Sequence, residues 1–147
     1  MIGWRVGWIV GPREIMHDVN LVGLTNVVCQ VGLAQSAVAA ALSAADAAAD
    51  MTSAVDDWSA RSEQIVEQLH DFHPVPPSGG WSVLLNTTAF GVRPADASER
   101  LFTRGGIAAT PMTGWGPSGD DYLRLVFANE PLHRLSDIGD RFRRTFG

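Results

Sequence analysis

Two arginines stand where an isolated positive charge is difficult to accommodate. Arg5 lies in the apolar run WRVGWIV, residues 4–10, and Arg124 lies in YLRLVFA, residues 122–128. Both runs are predicted to be β-strands, and a guanidinium within a strand needs an anionic partner or a route to solvent. Carboxylates and phosphates are the natural partners, because they accept two parallel hydrogen bonds from the planar fork. The alternative for each residue is an edge-strand arginine that points into water.

The remaining residues of chemical interest are arranged less favourably. His70 and His73 are three positions apart, as two metal ligands on one helix would be, but no cysteine or carboxylate completes a ligand spacing. The segment GWGPSG, residues 114–119, is rich in glycine but lacks the spacing of a nucleotide-binding loop. No serine lies in a nucleophile elbow, and Cys29 has no evident histidine partner. We therefore expect no metal ion on this chain.

The composition narrows the class of protein. The 147 residues suffice for a domain with its own core, and 46% hydrophobic with 18% charged residues is typical of a folded globular chain. A net charge of −5 argues against nucleic-acid binding, which requires a basic face. We expect no secretion or membrane insertion, because no leader and no apolar run of spanning length is evident. The single cysteine, Cys29, excludes an internal disulfide and is interpreted as a buried residue of a cytoplasmic protein.

All 11 basic residues are arginines, so the chain contains no lysine. A codon bias that also favours alanine is the simplest explanation. Whatever its origin, chemistry that requires a lysine amine cannot take place on this chain alone.

The patterns along the chain predict an α+β domain. Strands are predicted over residues 4–10 and over WSVLLN, GIAATPM and YLRLVFA. Helices are predicted over 13–29, 34–49, 53–72, about 96–104, and from Pro131 to near the end. Gly105 is expected to end the fourth helix. In the last helix, four apolar residues are expected to face inward: Leu132, Leu135, Ile138 and Phe142.

The helix predicted over residues 53–72 has the clearest amphipathic pattern. Ser53 and Asp56 resemble a capping box at its start. We interpret its apolar stripe as a face packed on its own domain, and the alternative is a seam between two copies of the chain. The stripe consists of Val55, Trp58, Ile65, Leu69 and Phe72.

Several segments together resemble one enzyme family. The opening MIGWRVGWIVGP is similar to the segment after the cofactor lysine in class I and II aminotransferases, fold-type-I enzymes that depend on pyridoxal phosphate. Gln35 resembles the family's Gln-x-Ala stretch, and PPSGGWSVLLN resembles its Pro-x-Gly-Gly-aromatic strand. ATPMTGWGPSGDDYLRLVFA resembles its Pro-Gly-x-x-Phe-Gly loop and the arginine strand that follows. The motifs have the family's order and cover nearly the whole chain. In the opening segment the matching residues are Met1, Gly3, Arg5, Val6 and Gly7.

The resemblance implies a fold and a site. Residues 1–12 would be the last strand of the large cofactor-binding domain, 13–33 a helical connector, and 34–147 the small C-terminal domain. By resemblance, Arg5 grips the phosphate of pyridoxal phosphate, and Arg124 binds the α-carboxylate of the amino acid or 2-oxo acid. The cofactor lysine would lie just before Met1, so the resemblance implies that the isolated chain is inactive. Met112, Thr113 and Trp115 depart from the small residues and phenylalanine usual in the family's loop, which leaves substrate preference open.

Three functions remain open from the sequence. The first is the C-terminal portion of an aminotransferase that transfers an amino group between an amino acid and a 2-oxo acid. The second is the same portion of a pyridoxal-phosphate-dependent lyase or synthase, because the motifs are shared. The third is a non-catalytic module that keeps the fold and dimerises or binds a partner. The expected partners are a small-molecule substrate and either a second copy of the chain or a missing N-terminal half.

Overall fold

The computed structural model describes residues 2–147 as α-helices and one antiparallel sheet. The chain divides into two compact units, of which the first ends at Met51 and the second runs from Thr52 to Gly147. The predicted α+β class is confirmed. The domain limits predicted at residues 12 and 33 refer to a whole enzyme and stay predictions, and the motif match at Met1 lies outside the described residues.

The first unit is helical. A 3₁₀ turn, Ile2–Trp4, precedes helix α1, Arg13–Val27, and helix α2, Gly32–Leu42. The strand predicted over residues 4–10 is wrong, because residues 5–12 form no regular element. A buried strand needs neighbours that share its backbone hydrogen bonds, and within residues 2–147 every paired strand lies between positions 74 and 126.

Cys29 follows α1 and is exposed, so the prediction that it is buried is wrong. The physical reason is that α1 itself contributes no buried residue. A small apolar side chain next to an uncovered helix has nothing to pack against.

The two central helices divide at a different place from that predicted. α2 ends at Leu42 and α3 spans Ala47–Gln68, so the alanine-rich stretch is shared between them. The Ser43 hydroxyl donates a hydrogen bond to the carbonyl of Ala39 at 2.9 Å. Such a bond of a serine to its own backbone competes with regular helix geometry and marks the end of α2.

The apolar stripe of α3 is only partly buried. Ile65 is buried, as is Leu69 just beyond the helix, whereas Val55 and Trp58 are exposed by 54% and 38%. The predicted packing on its own domain is therefore confirmed for the second half of the stripe only. The capping box predicted at residues 53–56 is wrong, because these residues lie inside α3.

A four-stranded antiparallel sheet organises the second unit. Its strands are β1, Pro74–Val75; β2, Ser82–Asn86; β3, Thr110–Pro111; and β4, Tyr122–Val126. Their spatial order is β1-β2-β4-β3, so β2 and β4 are internal. Alternate residues of the internal strands are buried, namely Val83, Leu85, Leu123 and Leu125. Trp81, the first residue of the predicted strand WSVLLN, precedes β2 and is 51% exposed.

Helices cover the buried face of the sheet. α4, Pro94–Arg100, continues into a π-helical turn, Leu101–Gly105, and the chain ends in α5, Leu132–Leu135, and α6, Ile138–Phe146. The predicted single final helix is thus two helices. Leu135 joins the core, whereas Leu132, expected to face inward, is the first residue of α5 and is exposed.

Close packing fixes the end of the second unit. Four aromatic rings with centroids 5.2–6.1 Å apart pack together: Phe72, Phe90, Phe142 and Phe146. α6 approaches the end of α3 so closely that a Cβ on Gly139 would overlap the carbonyl oxygen of Gln68. The glycine stop lies one residue later than predicted, because Gly105 is the last residue of the π-helical turn and the left-handed residue that ends it is Gly106, with a φ of 60°.

Candidate functional site

Arg124 occupies the centre of the sheet on the face opposite the core. It lies in β4 between Leu84 of β2 and Thr110 of β3, and both of these neighbours are half-buried. Tyr122 and Val126 share its face, because alternate residues of a strand point the same way. Since β4 is an internal strand, the alternative of an edge-strand arginine is excluded.

The guanidinium of Arg124 lacks an anionic partner. Its Nε atom is buried without a hydrogen bond, and the side chain forms no ion pair with any residue in the range 2–147. It lies over the indole of Trp115, with Cζ 4.8 Å from the ring centroid. A buried donor without a partner costs about 1–3 kcal/mol. A planar anion that accepts two hydrogen bonds from the fork would remove this cost.

A glycine-rich loop carries Trp115. Its neighbours Gly114 and Gly116 have φ values of 85° and 115°, a region that favours glycine. The backbone N–H of Trp115 donates to the carbonyl of Met112 at 3.0 Å, and a Cβ on Gly119 would come within 2.5 Å of that same oxygen. The glycines therefore allow a tight loop that places an indole against Arg124.

Arg5 lies in the first unit, at a cavity of about 280 Å³ that Gln30 and Gln35 also line. The side chain is exposed and, within the described chain, has neither a hydrogen bond nor an ion pair. Its φ of 54° is uncommon for a residue other than glycine and is costly unless the surroundings enforce it. The cavity is thus lined by an unpaired arginine and two glutamines, residue types that can donate hydrogen bonds to an oxyanion.

The histidine pair does not form a metal site. α3 ends before His70, so His70 and His73 do not share a helix face. The ring of His70 contacts the carboxylate of Asp71 at 3.0 Å and the carbonyl of Glu67 at 2.9 Å. Nowhere in residues 2–147 do three histidine, cysteine or acidic side chains gather as a metal site would require.

The helices in residues 2–147 are too short or too polar to cross a bilayer.

Exposed ion pairs account for the shifted pKa values. A hydrogen bond from Arg143, and then the charge of that residue, lowers the pKa of Asp140. Arg143 also contacts Asp71 at 3.3 Å and so links α6 to the turn after α3. These contacts join elements of the second unit to one another, and we assign them a structural role.

Comparison with known proteins identifies the family of the chain. The sequence model of the family described as aminotransferase class I and II matches residues 1–137. This chain belongs to the class I and II aminotransferases. The resemblance inferred from the motifs is thereby confirmed, and so is the fold class, apart from the strand over residues 4–10.

Relatives of known function extend the match. The arginine–pyruvate transaminase of Pseudomonas aeruginosa is 28% identical over 137 residues, which cover 90% of this chain and 34% of that protein. The aspartate/prephenate aminotransferase of Thermus thermophilus is 29% identical over 150 residues, and the match covers the whole of this chain and 38% of that protein. The chain therefore spans about a third of the length of these relatives.

Solved structures share the fold. The aspartate aminotransferase from Thermus thermophilus with maleate has a TM-score of 0.83 at 28% identity, covering 99% of this chain and 38% of that one. An aromatic aminotransferase from Pyrococcus horikoshii has a TM-score of 0.84 at 23% identity, covering 98% and 39%.

The two arginines singled out from the sequence lie in different units, and their binding roles stay predictions. Sequence reasoning gave no role to Trp115, which the structure places on Arg124. The sequence feature that could have indicated this role is an aromatic residue between two glycines, a few residues before the strand that contains Arg124.

Proposed function

We propose that this chain provides the substrate-carboxylate and cofactor-phosphate contacts of a pyridoxal-phosphate-dependent aminotransferase. The reaction would transfer an amino group between an amino acid and a 2-oxo acid. The observation that carries the proposal is the internal-strand guanidinium of Arg124, which has a buried, unpaired Nε in a chain of this family.

The substrates after which the relatives are named support this role. Arginine, pyruvate and aspartate differ in charge and size. They share a carboxylate on the carbon that bears the amino or oxo group. A bidentate arginine recognises this shared group whatever side chain the substrate carries. Arg124 would thus bind every substrate, while other residues select among them.

Arg124 would act by orientation. Two parallel N–H donors bind both carboxylate oxygens, so the substrate loses rotation about the bond to its reacting carbon. The apolar side chains of the other face hold β4 in place, so the fork has a fixed base. Fixing the reacting carbon in this way is a major source of rate enhancement in bimolecular reactions.

Arg5 fits the phosphate of the cofactor. Its guanidinium is unpaired and lines a cavity with two carboxamides, which suits a doubly charged oxyanion. When bound, pyridoxal phosphate supplies an electron-withdrawing ring that stabilises charge on the substrate's α-carbon. The covalent link to such a cofactor requires a lysine, which this chain does not contain. We therefore propose that the rest of an aminotransferase, on the same or another chain, supplies the lysine.

The surface of α1 supports an assembly with further protein. No residue of this helix is buried, although it carries a series of large apolar side chains. An apolar surface of this extent generally marks a contact with another protein segment. The exposed members are Ile15, Leu21, Val22, Leu24 and Val27.

A chimeric enzyme tests the proposal. The chain replaces the segment that it matches in the Thermus thermophilus aspartate/prephenate aminotransferase, which supplies the remaining two thirds of the enzyme. We expect the chimera to transaminate pyruvate, with alanine identified as the product to exclude lyase or synthase chemistry. Arg124→Ala should lower kcat/KM by about 30- to 4,000-fold, because removal of one partner of a desolvated charge pair typically costs about 2–5 kcal/mol.

Two further variants separate the roles of the arginines. Arg124→Lys keeps the charge but loses the planar fork, so it should also be strongly impaired. Arg5→Ala should speed dissociation of the cofactor and change kcat/KM less when the cofactor is saturating. Arg100→Ala, an exposed arginine, serves as the matched control. A folded chimera that retains kcat/KM within about three-fold after Arg124→Ala would refute the carboxylate assignment.

A further inference from the structure

We propose that Trp115 is a positioning residue for Arg124. Its indole fixes the plane of the guanidinium, so that the fork presents its edge to the carboxylate of an amino acid or 2-oxo acid. This inference rests on the proposed role of Arg124 and adds a second residue to that site.

The geometry assigns Trp115 this task because, within residues 2–147, no other contact fixes the orientation of the guanidinium plane. Cζ of Arg124 lies over the ring, 4.8 Å from its centroid, within the range of a cation–π contact. Among residues 2–147, the Arg124 side chain has no hydrogen bond and no ion pair. The neighbours across the sheet, Leu84 and Thr110, fix its position along the strand but not the rotation of the guanidinium plane.

Burial does not explain the position of Trp115. The side chain is 62% exposed, so the hydrophobic core does not hold it. Two glycines with positive φ flank it, and the loop closes onto Met112 through the backbone of Trp115 itself. A tight glycine-rich turn that presents a mostly exposed indole to one arginine indicates a role for the pair.

The contribution to binding comes from preorganisation. The attraction between indole and guanidinium exists with and without substrate, so by itself it does not favour the bound state. Without the indole, however, the long side chain must be immobilised when the carboxylate binds, and such ordering weakens binding. We expect loss of the indole to raise the dissociation constant for a carboxylate about 3- to 10-fold.

The first test measures the pair without any ligand. The 147-residue chain is labelled with ¹⁵N-arginine, and the Nε–H signal of Arg124 is assigned through Arg124→Lys. We expect the ring current of the indole to displace this proton upfield from the signal of Arg100, an exposed arginine. Trp115→Leu should abolish the displacement, Trp115→Phe should keep part of it, and Trp81→Leu, which removes another exposed indole, should leave it unchanged.

The second test measures the effect on binding. Pyruvate is titrated into each labelled chain, with methyl pyruvate as the control that lacks a carboxylate. We expect pyruvate alone to shift the Arg124 signal, with a dissociation constant about 3- to 10-fold higher in Trp115→Leu and partly restored in Trp115→Phe.

The outcomes distinguish the two proposals. No pyruvate-dependent shift at Arg124 in the wild-type chain overturns the carboxylate role and, with it, this inference. A shift with equal affinity in the wild-type chain and Trp115→Leu overturns the positioning role alone. The positioning role is also overturned if Trp115→Leu leaves the chemical shift of the Arg124 Nε–H unchanged in the absence of ligand.

Discussion

Replacement of Arg124 by methionine should stabilise the chain while it destroys the binding site. Arg124→Met removes a guanidinium whose Nε is buried and unpaired, and it keeps a long, flexible side chain of similar reach. Residues that bind ligands commonly lower the stability of the unliganded fold, because their polar groups are arranged for a partner that is absent. The predicted gain in stability is therefore a direct consequence of the proposed function.

The magnitude follows from two opposing terms. Relief of a buried, unsatisfied donor is worth about 1–3 kcal/mol. Loss of the contact with the largely exposed Trp115 costs about 0.5–1 kcal/mol. We therefore expect a net stabilisation of about 1 kcal/mol, which raises the midpoint of thermal unfolding by about 2–4 °C for a chain of about 150 residues.

The assay is thermal unfolding of the 147-residue chain followed by circular dichroism at neutral pH. Arg100→Met is the matched control, since Arg100 is exposed and a surface substitution should change stability by less than about 0.5 kcal/mol. A midpoint for Arg124→Met that falls below that of the wild-type chain would show that the guanidinium is satisfied in the free protein. The proposed need of Arg124 for an anionic ligand would then be refuted.

Two further predictions concern the second unit. Gly139→Ala should destabilise the chain by about 1–3 kcal/mol in urea unfolding, because the added Cβ meets the Gln68 carbonyl oxygen. The control is Gly23→Ala, which should not destabilise the chain, because no atom lies near this position of α1. The pKa of Asp140 is lowered from its ordinary value of 3.8 by Arg143, so this carboxylate contributes stability above that value and loses it as the pH falls through the lowered pKa. The thermal midpoint of Asp140→Asn should therefore fall less than that of the wild-type chain between about pH 5 and about pH 3. An equal fall in the two proteins would contradict the stabilising role of the Asp140–Arg143 pair.

The pattern of residue types along the sequence correctly predicted the strands and helices that are stabilised by their own side chains. The internal strands around Val83 and Leu123 have alternating apolar residues, and these are buried as expected. The helical part of the chain was also recognised, because alanine and amphipathic spacing favour helices in any context. The boundaries were less accurate, since the bond of Ser43 to its own backbone and the break after Leu135 depend on small local energies.

The run from residue 4 to 10 shows the limit of such patterns. Its apolar composition favours a strand buried on both faces, but a strand forms only when a neighbour completes its hydrogen bonds. Within the described residues that neighbour is missing, and Arg5 has a left-handed backbone instead. Similarly, the stripe of α3 predicted burial for Trp58, yet only the part over the core is covered.

The sequence by itself determined the family, the absence of lysine, and the two arginines that demand anionic partners. These follow from the residue types and their order, which do not depend on distant contacts. Only the tertiary structure decided that Arg124 lies in an internal strand, that its Nε is buried without a partner, and that Trp115 covers it. Each of these depends on residues far apart in the chain or on the path of a glycine loop, because hydrogen bonding and stacking are fixed by positions in space and not by spacing along the sequence.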